Sequence, residues 1–301
     1  MWPALSTTVL FSISAVCAQR STRLLGGVTA NLARILVATV LLGLWAHVVG
    51  QGLNGVSFPV FFLSGVVGFG FGDVALYQAF PRIGSRLSIL LVHCVAAPFA
   101  AVVEWVWLGT PVTAGEALAG LTILAGVAVA LAPGRQGGPA GKTLWAGVAC
   151  AVIGALGQGG GAVLSRKAYA LAAAAGQHID GMTAAYQRIV GGVLVAVVFF
   201  LLARWRQPEE PDRAPLRQRL RQAAPWTLAN AFAGPAVGVG MFQWALMLKG
   251  TGVVLPIVAL TPLVIIPFSR FIEGERPSRR SLAGGVIAVA GVVALTLLSR
   301  R

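Results

Sequence analysis

The stretch Ser64-Gly-Val-Val-Gly-Phe-Gly-Phe-Gly72 returns in altered form as Asn230-Ala-Phe-Ala-Gly-Pro-Ala-Val-Gly238. In both copies a polar residue is followed by glycines four and eight positions later, inside an apolar run. The two copies are 166 residues apart, and the separation falls to 154 at the matching residues Arg34 and Arg188. The pattern predicts an internal repeat, with about twelve residues added to the second copy between these two points.

The composition places the repeat in a membrane. Of 301 residues, 57% are hydrophobic and 11% are charged, whereas soluble domains carry about 25% charged residues. Mean hydropathy is +0.81, which excludes an ordinary water-soluble globule. Each apolar run is long enough for a membrane helix, and alternating barrel strands are absent. The runs cover residues 2–18, 28–49, 57–80, 84–107, 113–132, 143–165, 181–204, 224–248, 252–272 and 281–299.

A linker rich in glycine and proline, residues 133–142, divides the chain into residues 1–132 and 143–301. Each part holds five apolar runs. Because five is odd, two fully inserted units must lie in opposite orientations in the membrane. The predicted fold is therefore an all-α integral membrane protein with ten transmembrane helices arranged as two inverted five-helix repeats. Many secondary transporters have this architecture, with a site at the repeat interface.

The net charge of +14 and the three cysteines point to no cofactor. The basic residues flank the apolar runs, as in membrane proteins, and form no patch or finger typical of nucleic-acid binding. Cys17, Cys94 and Cys150 lie within apolar runs and are interpreted as small buried hydrophobes. We therefore expect no nucleic-acid partner, no metal site and no cofactor.

Two ordered sets of residues carry a family resemblance. The second half contains Gly250-Thr-Gly-Val-Val-Leu-Pro-Ile-Val-Ala-Leu-Thr-Pro262 and then Gly274-Glu275-Arg276, and the first half contains Ala75-Leu-Tyr-Gln-Ala79 followed by Pro98. These features resemble the drug/metabolite transporter superfamily in its EamA-like ten-helix form, over nearly the whole chain. Thr110-Pro111 departs from the pattern, standing where the second half has Glu275-Arg276. The resemblance implies a multi-pass carrier of small metabolites in the cell (inner) membrane, often an exporter.

Asp73 is the best candidate for chemistry within the membrane. It lies in the third run between apolar neighbours, and Tyr77 follows four positions later on the same helix face. Charges in membrane spans are costly and usually functional, so this carboxylate could bind a cation or exchange a proton. The alternative is a structural ion pair with a basic residue such as Arg34. Arg34 and Arg188, near helix starts, are themselves expected to extend to the membrane surface.

Five further residues complete the predicted substrate site. They are Gln78, His93, Gln158, Gln243 and Trp244. Their amide, imidazole and indole groups could contact a polar substrate, and His93 could titrate near neutral pH. Hydrogen bonding between helices explains the polar ones about as well, tight helix contact explains the glycines around Gln158, and packing explains Trp244.

An enzyme is the less favoured reading. Gly70-Phe-Gly-Asp73 spells a signature of intramembrane aspartyl proteases, whose chemistry needs two aspartates that share a proton. The other aspartates, Asp180 and Asp212, lie at a helix edge and in a polar loop. No zinc, serine-nucleophile or nucleotide-binding motif is present.

The sequence thus predicts a secondary transporter that moves a small polar or amphipathic metabolite by alternating access, with membrane lipid around it and the proton as a suggested coupling ion. A non-transporting scaffold or a lipid-modifying membrane enzyme is the alternative. Both a monomer and a homodimer are compatible with the sequence. Loop charges, five against sixteen, place the termini outside, whereas the resemblance implies termini inside, so orientation stays open.

Overall fold

The computed structural model describes residues 2–108, 113–131, 141–206, 215–249, 251–274 and 278–298. Regular structure in these ranges is helical, without strands. The α-helices are α1 (Trp2–Leu25), α2 (Gly27–Val48), α3 (Phe58–Gly65), α4 (Asp73–Leu108), α5 (Ala114–Leu131), α6 (Gly141–Ala174), α7 (Gly181–Arg206), α8 (Leu216–Ala231), α9 (Val237–Leu248), α10 (Thr251–Val258), α11 (Thr261–Phe268) and α12 (Arg279–Leu298). Three π-helical turns, Val66–Gly72, Phe232–Ala236 and Ser269–Glu273, continue α3, α8 and α11.

Within the described ranges, five helical segments are long and apolar enough to cross a membrane, and Ala114–Ala130 is a shorter apolar helix. The five segments are Gly27–Val48, Phe58–Ala100, Gly141–Ala174, Gly181–Trp205 and Leu216–Leu248. The predicted all-helical membrane class is therefore confirmed. Ten crossings in two inverted units remain a prediction.

Glycine marks two of the breaks between apolar runs. Gly26, with φ +80°, separates α1 from α2, and Gly84, with φ +79°, interrupts α4. This left-handed backbone region strongly favours glycine, which lacks a Cβ. The interruption at Gly84 falls where the third and fourth apolar runs were predicted to part.

Two of the π-helical turns occupy equivalent positions in the repeat. Val66–Gly72 lies in the quoted first copy, and Phe232–Ala236 lies in the second copy, 166 residues further on. A π-helical turn is rare and is often found at functional sites. Its presence in both copies indicates that the repeat extends to the local backbone geometry.

Small residues set the closest helix contacts. Helix α5 packs along α12, and a Cβ added at Gly126 or Gly284 would collide with the backbone of the opposite helix. Gly291 on α12 is the repeat equivalent of Gly126. A Cβ added there would in turn meet the backbone of α5 around Ile123. Such small-residue contacts let membrane helices approach closely and gain van der Waals energy.

Helix α1 lies at the centre of the bundle and contacts α2, α4, α8, α9 and α11. Its buried hydroxyl groups are satisfied locally, since Thr7, Thr8 and Ser12 donate to carbonyls one turn earlier. Thr8 Oγ1 also lies 3.0 Å from the Ile257 carbonyl oxygen. Large apolar side chains such as Val40 and Leu44 are instead exposed on the outer surface, as expected for a surface that faces lipid.

Several sequence features lie outside the described residues. They are residues 133–140 of the linker, residues 207–214 of the polar, arginine-rich stretch 206–221, Thr110, Pro111, Gly250, Glu275 and Arg276. The last two linker residues, Gly141 and Lys142, belong to α6, and residues 216–221 of the arginine-rich stretch belong to α8.

Candidate functional site

A cavity of about 80 Å³ lies in the interior, among α1, α2, α4, α6, α7, α9 and the first two π-helical turns. It has room for several water molecules, each of which needs about 15 Å³. Its lining is mixed. Phe11, Phe69 and Phe242 contribute aromatic surface, while other side chains bring charge and hydrogen-bonding groups. The centre of the bundle is therefore neither completely filled by side chains nor lined by hydrocarbon alone.

Asp73 forms an ion pair inside this cavity. The Asp73 carboxylate accepts a hydrogen bond from Arg34 Nη2. Asn31 Oδ1 accepts two more from the same guanidinium, from Nε at 3.2 Å and from Nη2 at 3.0 Å. The guanidinium carbon also lies 4.5 Å from the centre of the Tyr77 ring, in cation–π contact. The structure thus contains the ion pair between Asp73 and Arg34 that the sequence analysis gave as the alternative.

A second buried arginine reaches the cavity from α7. Arg188 is 5% exposed, and its guanidinium carbon lies 5.3 Å from the centre of the Phe69 ring. Glycines make the space for it, since a Cβ built at Gly68 or at Gly161 would lie 3.0 Å from Arg188 Nη2. A Cβ at Gly65 would collide with the Arg188 carbonyl group. Small residues on α3, α6 and the first π-helical turn therefore fix both the backbone and the side chain of Arg188.

Hydrogen bonds tie the two halves together beside the cavity. Asn230 Nδ2 donates to the Tyr77 hydroxyl at 2.5 Å, and Asn230 Oδ1 accepts from Ser14 Oγ at 2.8 Å. Ser64, the repeat equivalent of Asn230, is similarly placed between α3 and α6: its Oγ donates to the Gly161 carbonyl at 2.7 Å and lies 3.0 Å from Ser165 Oγ. Both copies of the quoted stretch thus use their polar residue to bind the other half.

Tyr77→Phe should separate the two roles of Tyr77. The variant loses the hydrogen bond from Asn230 but keeps a ring facing Arg34. Hydrogen bonds between membrane helices contribute about 0.6 kcal/mol on average and at most about 1.7, so we expect a fall in unfolding free energy of that size. Thermal or denaturant unfolding of purified protein would measure it. Tyr169→Phe on α6 is the matched control, because the Tyr169 hydroxyl is buried without a hydrogen-bond partner among the described residues and Tyr169 does not line the cavity; an equal loss in both variants would contradict this role.

Two more predicted site residues line the cavity. His93 stacks on Phe11 with ring centres 5.9 Å apart. Gln158 enters the cavity from α6, and its Nε2 is buried without a hydrogen-bond partner. The structure therefore brings four predicted residues together: Asp73, Tyr77, His93 and Gln158.

The other three predicted residues lie elsewhere. The Gln78 side chain accepts a hydrogen bond from Arg82 Nη1 at 3.0 Å, and Gln78 is not part of the lining. Trp244 is exposed on α9. Gln243 is fully buried with both amide atoms unpartnered, yet it does not line the cavity. The packing explains the difference, because Gln78 and Trp244 point away from the interior that Tyr77 and Phe242 face.

Arg34 and Arg188 are the residues whose role the sequence interpretation misjudged. They were expected to extend to the membrane surface, but each is only 5% exposed and both line the cavity. The repeat could have revealed this role, because the two arginines occupy matching positions in it. The lining thus draws on α1, α2, α6 and α7 as well as α4 and α9, whereas the ninth apolar run, residues 252–272, adds no residue among those described.

Comparison with known sequences identifies one family. The model of the EamA-like transporter family matches residues 2–132 and again residues 143–297. Curated relatives include the probable 4-amino-4-deoxy-L-arabinose-phosphoundecaprenol flippase subunit ArnE of Pseudomonas aeruginosa strain UCBPP-PA14, 38% identical over 79 residues. The corresponding Pseudomonas paraeruginosa subunit is 37% identical over 79 residues. Each alignment covers 26% of this chain and 64% of the relative.

A solved structure shares the fold. A crystal structure described only as that of a protein aligns with a TM-score of 0.59 over 98% of this chain and 98% of its own. The sequences are 18% identical, so the likeness concerns the fold alone.

Proposed function

The chain belongs to the EamA-like transporter family, and on this premise we propose that it moves its small metabolite by alternating access through the cavity around Arg34, Asp73 and Arg188. In this proposal residues 1–132 and 143–301 are two inverted five-helix units joined by residues 133–142. The substrate binds between them at the level of the cavity. Rocking of the units then opens the site to one side of the membrane at a time.

The observation that carries the proposal is the meeting of repeat-related residues at one cavity. Arg34 and Arg188 both line it, as do Gly68 and Gly234, the first glycines of the two copies. A site built from equivalent positions of two inverted units lies on the pseudo-symmetry axis between them. Exchange of the conformations of the two units would then leave the site in place while its opening changes side.

Relatives inform the substrate class. The flippase subunits named above handle, by their names, a lipid carrier joined through phosphate to an amino sugar. We include amphipathic metabolites with a polar head group among the substrates of this chain for that reason. The polar part of the substrate would contact Asp73, Tyr77, His93 and Gln158. In the present conformation the cavity is not lined by Gln78, Gln243 or Trp244. Asp73 and His93 remain the groups through which a proton would be coupled.

A single cysteine in the cavity tests alternating access. With Cys17, Cys94 and Cys150 replaced by alanine, Val92→Cys places a thiol on the lining with little change in volume. In vesicles of defined orientation, a membrane-impermeant thiol reagent should modify this cysteine from either side, because both states are populated. Mass spectrometry of the modified protein would report the two rates.

Val289→Cys is the matched control. Val289 is equally buried but lies in the apolar core of α12, away from the cavity, so neither side should modify it. Modification of Val92→Cys from one side only, under every condition including an excess of cell metabolites on the opposite side, would contradict alternating access. That result would favour the scaffold or the lipid-modifying enzyme.

A further inference from the structure

The cavity carries more positive than negative charge. Among the described residues that line it, Asp73 is the carboxylate, and Arg34 and Arg188 are the arginines. Arg34 is balanced by its ion pair with Asp73. The remaining charge is that of Arg188, and protonation of His93 would only increase the excess.

Arg188 has no partner of its own within the described part of the chain. No salt bridge joins it to Asp73, although the two interact electrostatically across the cavity. Its Nε is buried without a hydrogen-bond acceptor. Burial of an unpaired charge is costly, so this arrangement disfavours the empty protein and favours a bound species that supplies negative charge.

The unpartnered groups around the cavity are donors. The buried lining atoms that lack a hydrogen bond are Arg188 Nε and Gln158 Nε2, within the residues described. The Tyr77 hydroxyl accepts from Asn230 and keeps its own proton free to donate. An empty site that offers donors and a positive charge matches a ligand with acceptor oxygens and a negative charge.

Arg188 is also held in position. The glycines at 65, 68 and 161 leave room for it, and Phe69 covers its guanidinium. A planar guanidinium in a fixed place can bind a carboxylate or a phosphate through two parallel hydrogen bonds. The side chain therefore loses little conformational freedom when it binds.

We propose that Arg188 is the anion-binding residue of the substrate site, and that the transported molecule carries a carboxylate or phosphate group. That the bound anion is a transported substrate rests on the proposed function. That the site binds an anion rests on the cavity alone. The Arg34–Asp73 pair then serves the remainder of the molecule, with Gln158 donating to the same anion or its neighbour. The anionic group belongs either to a free metabolite or to a lipid-linked one, since the chemistry that binds it is the same.

The test measures thermal unfolding of the full chain in phosphatidylcholine nanodiscs. Sodium phosphate and sodium acetate are compared with sodium chloride at equal ionic strength, and a second set of discs contains phosphatidylglycerol. If the anion is free, phosphate or acetate should raise the unfolding midpoint by at least about 3 °C beyond chloride. If it is lipid-linked, the discs with phosphatidylglycerol should have the higher midpoint already in sodium chloride, and added phosphate or acetate should change it little.

Three variants make the result specific. Arg188→Gln should remove the increase while its midpoint without added anion stays equal or rises, because a lone buried charge is gone. Arg188→Lys should retain part of the increase. Arg166→Gln is the control, because it removes the same charge from a side chain that hydrogen-bonds the Leu246 carbonyl and does not line the cavity; its increase should match that of the parent protein.

The outcomes separate the two proposals. The anion site is overturned if neither phosphate nor acetate raises the midpoint beyond chloride and phosphatidylglycerol does not raise it beyond phosphatidylcholine, or if the increase is undiminished in Arg188→Gln. If the cysteine at position 92 is nevertheless reached from both sides, alternating access stands and the substrate is neutral or cationic. If an increase that depends on Arg188 accompanies one-sided access, the anion site stands in a protein that does not alternate.

Discussion

Asp73→Asn is expected to reduce transport at least about tenfold while the protein still accumulates in the membrane. Removal of one partner from a buried ion pair costs about 3–5 kcal/mol, and about 1.4 kcal/mol already corresponds to a factor of ten. The asparagine oxygen can still accept a hydrogen bond from Arg34, and Asn31 continues to hold that guanidinium. These contacts should limit the loss of thermal stability, so that the protein still reaches the membrane while the cavity no longer supports transport. Metabolite profiling of cells with and without the protein would identify a substrate, and its uptake into proteoliposomes would measure the loss.

The double variant Arg34→Gln with Asp73→Asn is the informative partner of this experiment. It removes both charges, so no lone charge is left in the pair, and the thermal stability should recover relative to either single variant. If the Asp73 carboxylate takes part in transport, transport stays low in the double variant. If Asp73 only balances Arg34, transport returns with stability. Unchanged transport with an unchanged pH dependence in Asp73→Asn would remove Asp73 from the mechanism altogether.

Gly65→Ala is expected to disturb the protein more than any other alanine substitution at a helical glycine beside the cavity. The added methyl group meets the backbone carbonyl of Arg188, which cannot rotate away as a side chain would. Overpacking of this kind costs about 1–3 kcal/mol, which is about 2–12 °C in unfolding midpoint at 2–4 °C per kcal/mol. Displacement of α3 from α7 would also move Arg188, so transport should fall with stability.

Gly120→Ala supplies the control for this substitution. Gly120 lies in α5, and the nearest atom to an added Cβ is Pro98 Cβ at 4.0 Å, so the methyl group has room. Alanine is preferred over glycine in a helix by about 1 kcal/mol, and the midpoint of this variant should stay equal or rise. Equal decreases in both variants would show that the contact between Gly65 and Arg188 has no special importance.

Much of the fold follows from hydropathy and the repeat. Long apolar runs leave helices as the only structure that satisfies the backbone in lipid, and the predicted boundary between the runs 57–80 and 84–107 coincides with the interruption at Gly84. The π-helical turns could not be predicted, because nothing in the residue types of Val66–Gly72 distinguishes an α-helical from a π-helical backbone. The polar face of α1 was also missed, because its hydroxyl groups sit among apolar residues and bond within their own helix.

The candidate site was predictable only in part. Asp73 stood out because a carboxylate within an apolar run needs a partner, and that partner was correctly named as an alternative. Arg188 was not recognised, since an arginine near a helix start normally reaches the membrane surface; the recess that holds it depends on glycines far away in sequence. Gln78 was included for its residue type alone, and in the structure its side-chain oxygen accepts a hydrogen bond from Arg82 rather than lining the cavity.

The π-helical turn ahead of Asp73 changes the direction in which the side chains of the following helix, α4, point around the helix axis. A wider turn holds more residues than the 3.6 of an α-helix, so side chains of α4 are rotated relative to those of α3. Whether Asp73 and Tyr77 point to the interior therefore depends on where the extra residue of the wider turn lies along the chain. Two homologous chains with the same residue types, but with the π-helical turn shifted by a few positions, would expose different side chains to the same cavity and select different substrates.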